Sequence, residues 1–267
     1  MRKKRLRLFL PVFILLLCLC GCAEKAQTPL PQLVIGCGNF EPYNYTDEDG
    51  EPAGLDVELA REACRRMGYE AVFEQIDWSE RDTLLASRQV DCLWSCYAMD
   101  GQEDKYAWVG PYMRSRQVVA VLTDSPIQTL ADLAGKNIAV CAGTKAETLF
   151  LQQADANISN VETVYSLDAM DEVSTALRNY YVDASAGYAA ALREALQNDS
   201  ITYRFLTEDL SRASLGVAFS KDCETNAEIC ERLSVALDEM LSDGTTAQIL
   251  GHYGVDTVKA LGGLSDA

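Results

Sequence analysis

LVIGCGNFEPYNYTDEDGEPAGLDVELAREACRRMG, residues 33–68, is the stretch on which the fold turns. Leu33–Gly38 is a short apolar run without alternation, as expected of a strand buried on both faces. A polar loop follows, punctuated by Pro42, Gly50 and Pro52. Leu55, Leu59, Ala63 and Met67 then step by four, which predicts a helix, and Gly68 supplies its stop. A strand, a turn and a helix in that order make one unit of a parallel α/β sheet.

The unit recurs outward along the chain. AVFEQI (71–76) reads as a strand, ERDTLLASR as a helix capped by Ser79, and VDCLWSC (90–96) as the next strand. QVVAVLT (117–123) is strand-like and a short helix covers TLADLAG. NIAVCA (137–142) then opens a second series: a helix in TKAETLFLQQ, a strand in VETVYS and a helix in AMDEVSTALRN. The strand YVDASAG (181–187) feeds a helix in YAAALREALQ, the strand SLGVAFS (214–220) follows, and a long helix spans 224–242. Ligands of such sheets bind beyond the carboxyl ends of the strands. That rule gathers four loops at one cleft: GNFEPYNY, SCYAMDGQE, AGTKAE and AGYAA.

The ends and the composition bound the setting. MRKKRLR carries five positive charges, and the apolar run from Leu8 to Cys20 is 13 residues long. A membrane-spanning helix needs about 20 apolar residues, so residues 1–21 read as a signal peptide. Leu19-Cys20-Gly21-Cys22 resembles a bacterial lipobox, which implies a lipid, such as palmitate, on Cys22 and a flexible tether over 22–32. An uncleaved N-terminal anchor is the alternative. The chain holds 23 Lys and Arg against 40 Asp and Glu. Without the leader the balance is 18 against 40, or −22, which excludes nucleic acid as a partner. Beyond Cys18, Cys20 and Cys22 seven cysteines remain, an odd number that forbids a complete disulfide framework; Cys223 and Cys230 are the pair that could bridge. CxxC, HExxH and the P-loop pattern are absent and there is one histidine, so no cofactor and no metal site are expected.

Five segments in order resemble the family 3 extracellular solute-binding proteins, the amino-acid receptors of ABC importers. They are LVIGCGNFEPYNYTDEDGEPAGLDVELA, IDWSERDTLLASRQVDCLW, GPYMRSRQVVAVL, LADLAGKNIAVCAGTKAE and VDASAGYAAAL, and together they cover about 33–251. The resemblance implies a two-lobe α/β fold of the periplasmic-binding-protein type, each lobe a mostly parallel sheet flanked by helices, joined by two hinge strands. Lobe 1 would comprise 33–118 plus 219–262, and lobe 2 residues 124–213. It implies a monomer, not an enzyme, tethered by lipid to the extracytoplasmic face of the membrane, handing a small polar ligand (an amino acid or an amine) to an ABC permease. A sensor lipoprotein reporting to a membrane receptor and a dehydratase-like enzyme are the other readings; His252 lies far along the chain from the cleft loops, and no acid–base set can be built there.

The resemblance also assigns a site. A free amino acid is a zwitterion, whose carboxylate wants a guanidinium or NH donors and whose ammonium wants a carboxylate. The family's arginine falls at Gln102 or Glu103 here, and its lobe 2 aspartate at Tyr188. Both charges of the clamp are thus missing, and a cleft poor in cations is expected, with Lys105 and Lys145 as possible substitutes. Phe40 matches the family's stacking ring, and Tyr43 either stacks beside it or plugs the lobe's core. Trp78 faces the cleft or packs. Ser95, Cys96 and Ala98 fall where the family offers hydroxyls and backbone groups. Thr144 and Lys145, at a Gly-Thr helix start, form the remaining anion site unless Thr144 is simply an N-cap. On this reading anionic amino acids bind badly, and flat, neutral or cationic ligands suit the rings of Phe40, Tyr43, Trp78, Tyr97 and Tyr188.

Overall fold

In the computed structural model, residues 29–152, 160–197, 202–222 and 226–264 are described. The expected leader, Cys22 with most of its tether, and Cys223 lie outside them. From Pro31 onward the chain packs as one unit. Strand β1 (Gln32–Cys37) leads through the short β2 (Tyr45–Thr46) and β3 (Pro52–Ala53) to α1 (Leu55–Met67) and β4 (Glu70–Gln75). Gly68 ends α1 in the left-handed conformation expected of it. A 3₁₀ turn at Trp78–Glu80 runs into α2 (Arg81–Ala86), then β5 (Cys92–Leu93) and the long β6 (Ala107–Leu122). The second series is β7 (Asn137–Cys141), α3 (Lys145–Gln152), β8 (Thr163–Leu167), α4 (Met170–Arg178), β9 (Ala184–Tyr188), α5 (Ala189–Gln197) and β10 (Tyr203–Phe205). Strand β11 (Ser211–Phe219) and helices α6 (Asn226–Ser242), α7 (Thr245–His252) and α8 (Thr257–Leu261) complete it.

One continuous sheet runs β4-β1-β5-β11-β6-β9-β7-β8, with β10 also on β6. The outer thirds are parallel: β1 with β4 and β5, β7 with β8 and β9. Antiparallel β6 and β11 join them, Ser211 opposite Gln117 through Phe219 opposite Ala107. This is the two-lobe α/β architecture, with β6 and β11 as the crossing strands. Burial shows why the sheet divides. Val118, Ala120 and Leu122 enter one apolar cluster with Leu177 and Leu192, while Val119 and Val121 enter another with Ile138 and Val140. The first half has its own pair: Leu33, Ile35, Leu59 and the α6 residues Leu233 and Met240 on one face, Leu85, Val90, Leu93 and Tyr106 on the other. Alternation along a strand sends successive side chains to opposite faces, so each half is a sheet with two covered sides.

Three expectations are corrected. The strand expected at 90–96 is ladder-paired only at Cys92–Leu93, because the chain then leaves the sheet. The strand expected at 117–123 begins ten residues earlier, at Ala107. The helical turn at residue 78 is capped by Asp77, whose carboxylate accepts from Ser79 N (2.9 Å) and Ser79 Oγ (2.7 Å), and not by Ser79.

Candidate functional site

The loop 94–103 is built by what it is tied to. Asp56, in the first turn of α1 and fully buried, accepts from Cys96 N (2.6 Å) and from the Tyr112 hydroxyl (2.8 Å). Burial pushes the Asp56 carboxyl up to about 7, and the two hydrogen bonds restrain the rise. Cys96 itself sits at φ 50, a left-handed conformation costly for a side chain and held here by that bond. Farther on, Met99 N donates to Ser214 O (2.8 Å), Gly216 N to Tyr97 O (3.0 Å) and Ser214 N to Asp100 Oδ2 (2.7 Å). The loop is therefore stitched to α1 on one side and to the crossing strand β11 on the other. A Cβ on Gly216 would stand 2.7 Å from Met99 Sδ, so any larger residue there would have to displace the Met99 side chain.

Facing this loop across the cleft are the turn after β7 and the end of β8. Between them lies a cavity of about 540 Å³ lined by residues of both sheet halves. It brings together Phe40, Trp78, Ser95, Cys96, Ala98, Gln102, Thr144, Lys145 and Tyr188 from the sequence-predicted set. Ser95 Oγ accepts from Gly38 N (3.0 Å), which leaves its proton to donate. Gln102 is committed to the loop: its Nε2 donates to Ala98 O (3.3 Å) and its Oε1 accepts from Tyr97 (2.9 Å). Tyr188 is buried, its hydroxyl on Cys96 O (3.4 Å) and its ring edge-on to Phe40 at 6.2 Å, so it presents a wall and not a free hydroxyl.

Tyr43 does not line the cavity. It is wholly buried beneath Phe40, its hydroxyl 3.0 Å from Ser115 Oγ, and burial drives its phenol well up. Here the core-plug reading holds and the stacking one is corrected. Lys105 is likewise no lining residue; it pairs with Asp82 at 2.7 Å on the surface. The Gly-Thr anion site is corrected too. Gly143 N already donates to Glu147 (2.7 Å), and the Thr144 hydroxyl donates to Cys141 O (2.6 Å) while accepting from Glu147 N (3.4 Å). Thr144 is thus an N-cap, and neither its hydroxyl proton nor Gly143 N is left for an anion, while the Lys145 side chain still lines the cavity.

The largest correction concerns charge. The cavity is not free of guanidinium groups, because Arg81 lines it. Its Nη1 donates to Trp78 O (2.7 Å) and its Nε to the Tyr97 hydroxyl (3.2 Å), with the rings of Trp78 and Tyr97 at 5.5 and 5.8 Å. Nη2 has no partner among the described residues. Tyr97 is fixed in turn by Gln102 and Tyr106 (3.0 Å), and Tyr106 donates to Asp82. Asp100, Lys145 and Asp168 also line the cavity, so it holds two cations and two carboxylates. Sequence reasoning missed Arg81 and Asp168. The signal for Arg81 was its spacing, three residues after Trp78, which puts both on one face of a helical turn.

The buried cysteines are chemically quiet. Burial pushes the Cys37 and Cys141 thiols up to about 11, and those of Cys92 and Cys96 well above their ordinary value. Reactive thiols need the opposite shift. Among the described residues no group of His, Cys, Asp and Glu is placed to hold a metal ion, and no helix is long and apolar enough to cross a membrane.

The sequence pattern of the bacterial extracellular solute-binding proteins, family 3, matches residues 33–256. The chain is 27% identical over 232 residues to the L-cystine-binding protein TcyJ of Escherichia coli (strain K12), covering 85% of this chain and 84% of that protein. To the L-cystine-binding protein TcyA of Bacillus subtilis (strain 168) it is 27% identical over 269 residues, covering 93% and 96%. Among solved structures, an ancestral arginine-binding protein bound to arginine superposes with a TM-score of 0.71 at 26% identity, covering 83% of this chain and 97% of that one. A Streptococcus pneumoniae ABC uptake transporter substrate binding protein with bound histidine gives 0.73 at 23% identity, covering 84% and 93%.

Proposed function

The chain belongs to the bacterial extracellular solute-binding proteins, family 3, and from that premise we propose that it captures an amino acid and delivers it to an ABC importer. It does so outside the cytoplasmic membrane, held there by a lipid on Cys22, as a monomer and without catalysis. Lobe 1 is 33–118 with 219–262 and lobe 2 is 124–213, closing about β6 and β11 as ligand contacts with both lobes accumulate.

One observation carries the reading: a cavity of about 540 Å³ between the two sheet halves, with Arg81 and Asp100 on the first half's wall. Arg81 presents Nη2 to the ligand's α-carboxylate, and Asp100 receives the ammonium on the oxygen that Ser214 leaves free. Ser95 adds its hydroxyl proton. Phe40, Trp78 and Tyr188 cover the aliphatic part of the ligand. The rest of the ligand faces the second wall, which is what couples binding to closure. Several relatives named for the amino acids they bind, L-cystine and arginine among them, support the ligand class.

The test is a thermal-shift screen of the amino acids on the full-length chain, followed by calorimetry on each hit. A ligand of the native state alone raises the midpoint as its concentration passes Kd. Saturable binding of at least one amino acid, lost in Arg81→Met, is the expected result. No shift with any amino acid at millimolar concentration would remove the reading.

A further inference from the structure

The second wall repeats the charges of the first. Lys145, at the start of α3, and Asp168, just after β8, line the same cavity opposite Arg81 and Asp100. Arg81 Nη2, both Asp168 oxygens and Asp100 Oδ1 have no hydrogen-bond partner among the described residues, and Lys145 Nζ makes no hydrogen bond or close ion pair there, its charge being felt only by Glu103 on the rim. No ion pair joins them to one another, although side chains of opposite sign share one cavity. A ligand with a single amino-acid head and a plain side chain engages one cation and one carboxylate. It leaves the other pair facing an apolar tail, and stranding charges without partners in a closing cleft is costly.

We propose that the ligand has two heads: a diamino dicarboxylic acid whose α-amino-acid groups are joined by a short linker. This deepens the amino-acid reading above and rests on it. One head binds Arg81 through its carboxylate and Asp100 through its ammonium. The other places its carboxylate on Lys145 and its ammonium on Asp168. Phe40, Trp78, Ala98 and Tyr188 supply apolar surface for the linker. The four side-chain charges cancel, so the ligand that completes them is neutral overall and has four charged groups. The volume agrees: about 540 Å³ stands well inside the roughly 300–1,000 Å³ typical of small-molecule sites. Two heads also explain closure, because each lobe grips its own end and the second contact is made at high effective concentration. The near-full-length likeness to two L-cystine-binding proteins points the same way.

The experiment is calorimetry on the full-length chain in detergent with L-cystine, L-cystathionine and S-methyl-L-cysteine, which carry a disulfide-linked pair of heads, a thioether-linked pair and a single head. The expected result is at least one two-headed ligand binding about tenfold or more tighter than S-methyl-L-cysteine. Lys145→Met and Asp168→Asn should each cut that affinity ratio by about tenfold, two independent variants guarding against misfolding of either, with circular dichroism as the folding control. Tight L-cystine with weak L-cystathionine supports the proposal and assigns a disulfide linker; comparable binding of both supports it with a tolerant linker. S-methyl-L-cysteine binding within about twofold of both, or an unchanged ratio in both variants, overturns it while leaving the amino-acid reading in place. Failure of every amino acid would remove that reading as well.

Discussion

Asp56→Asn should stabilise the protein at pH 8 relative to the wild type, although it alters a fully buried carboxylate that anchors the site loop. The Asp56 pKa is raised by burial to about 7 in the folded protein, against about 3.9 in an unfolded chain. Between those values the folded state keeps the proton and the unfolded state has released it. Raising the pH therefore favours unfolding across that window, and the loss is complete above pH 7. At about 1.4 kcal/mol per pH unit the whole effect is ~4 kcal/mol, of which ~3 falls between pH 5 and pH 8. The geometry says why asparagine copies the neutral acid. Its oxygen can accept from Cys96 N, which has no alternative, while its NH₂ can donate to the Tyr112 oxygen, reversing the bond that the Tyr112 hydroxyl gives the carboxylate. Urea denaturation of both proteins at pH 5 and pH 8 measures the difference. The wild type should match Asp56→Asn within about 1 kcal/mol at pH 5 and fall behind it at pH 8. If the gap between the two proteins is the same at both pH values, the carboxyl does not stay protonated in the fold and the argument fails.

Arg81→Met should weaken the best amino-acid ligand by ~30- to 1,000-fold in calorimetry, the ~2–4 kcal/mol expected of a charge-assisted hydrogen bond in a partly desolvated site. Arg81→Lys should recover only part of this, because one ammonium cannot serve Trp78 O, Tyr97 Oη and a carboxylate together; full recovery would show that charge alone matters. Tyr97→Phe removes the acceptor for Arg81 Nε and should loosen binding by ~3- to 10-fold with circular dichroism unchanged; undiminished affinity would show that the guanidinium needs no such support. Gly54→Ala should cost more than about 3 kcal/mol of stability in urea, since the residue sits at φ 119 and a Cβ would fall 2.3 Å from Tyr43 O; a loss below about 1 kcal/mol would mean the loop moves freely.

The elements easiest to read were those whose pattern is local. Leu55, Leu59, Ala63 and Met67 needed only helical periodicity, and Ile138–Val140 only an apolar run. Strand β6 was read too short because Gly110 and Pro111 look like punctuation, yet the strand passes through them, opposite the irregular register at Leu215–Val217. Strand β5 was read too long because residues 94–96 are apolar for another reason: Trp94 and Cys96 fill the core from a loop. The site was half legible. Loops at the carboxyl ends of strands placed most of the lining, but which of two nearby rings faces the ligand was not a local matter. Phe40 is in and Tyr43 is under it because the Tyr43 hydroxyl finds Ser115, 72 residues later. Arg81 was not legible because its place in the cleft depends on Tyr97, 16 residues later, and not on any local pattern at the helix start. Gln102, read as a vacancy, instead fixes the tyrosine on which Arg81 rests.

The two scales of charge in the molecule do different work. The chain as a whole carries −17, a field that slows anions and speeds cations on approach but fades beyond roughly 8 Å at physiological salt. A net-neutral zwitterion crosses that field with little bias and feels strong forces only inside, where Arg81, Asp100, Lys145 and Asp168 lie within one cavity. Selection by total charge is thus made outside and selection by the arrangement of charge is made within. Added salt should therefore change association rates for charged amino acids far more than for neutral ones. The ligand that belongs to the site is then the one whose association rate responds least to salt and whose dissociation rate responds most to loss of a lining charge.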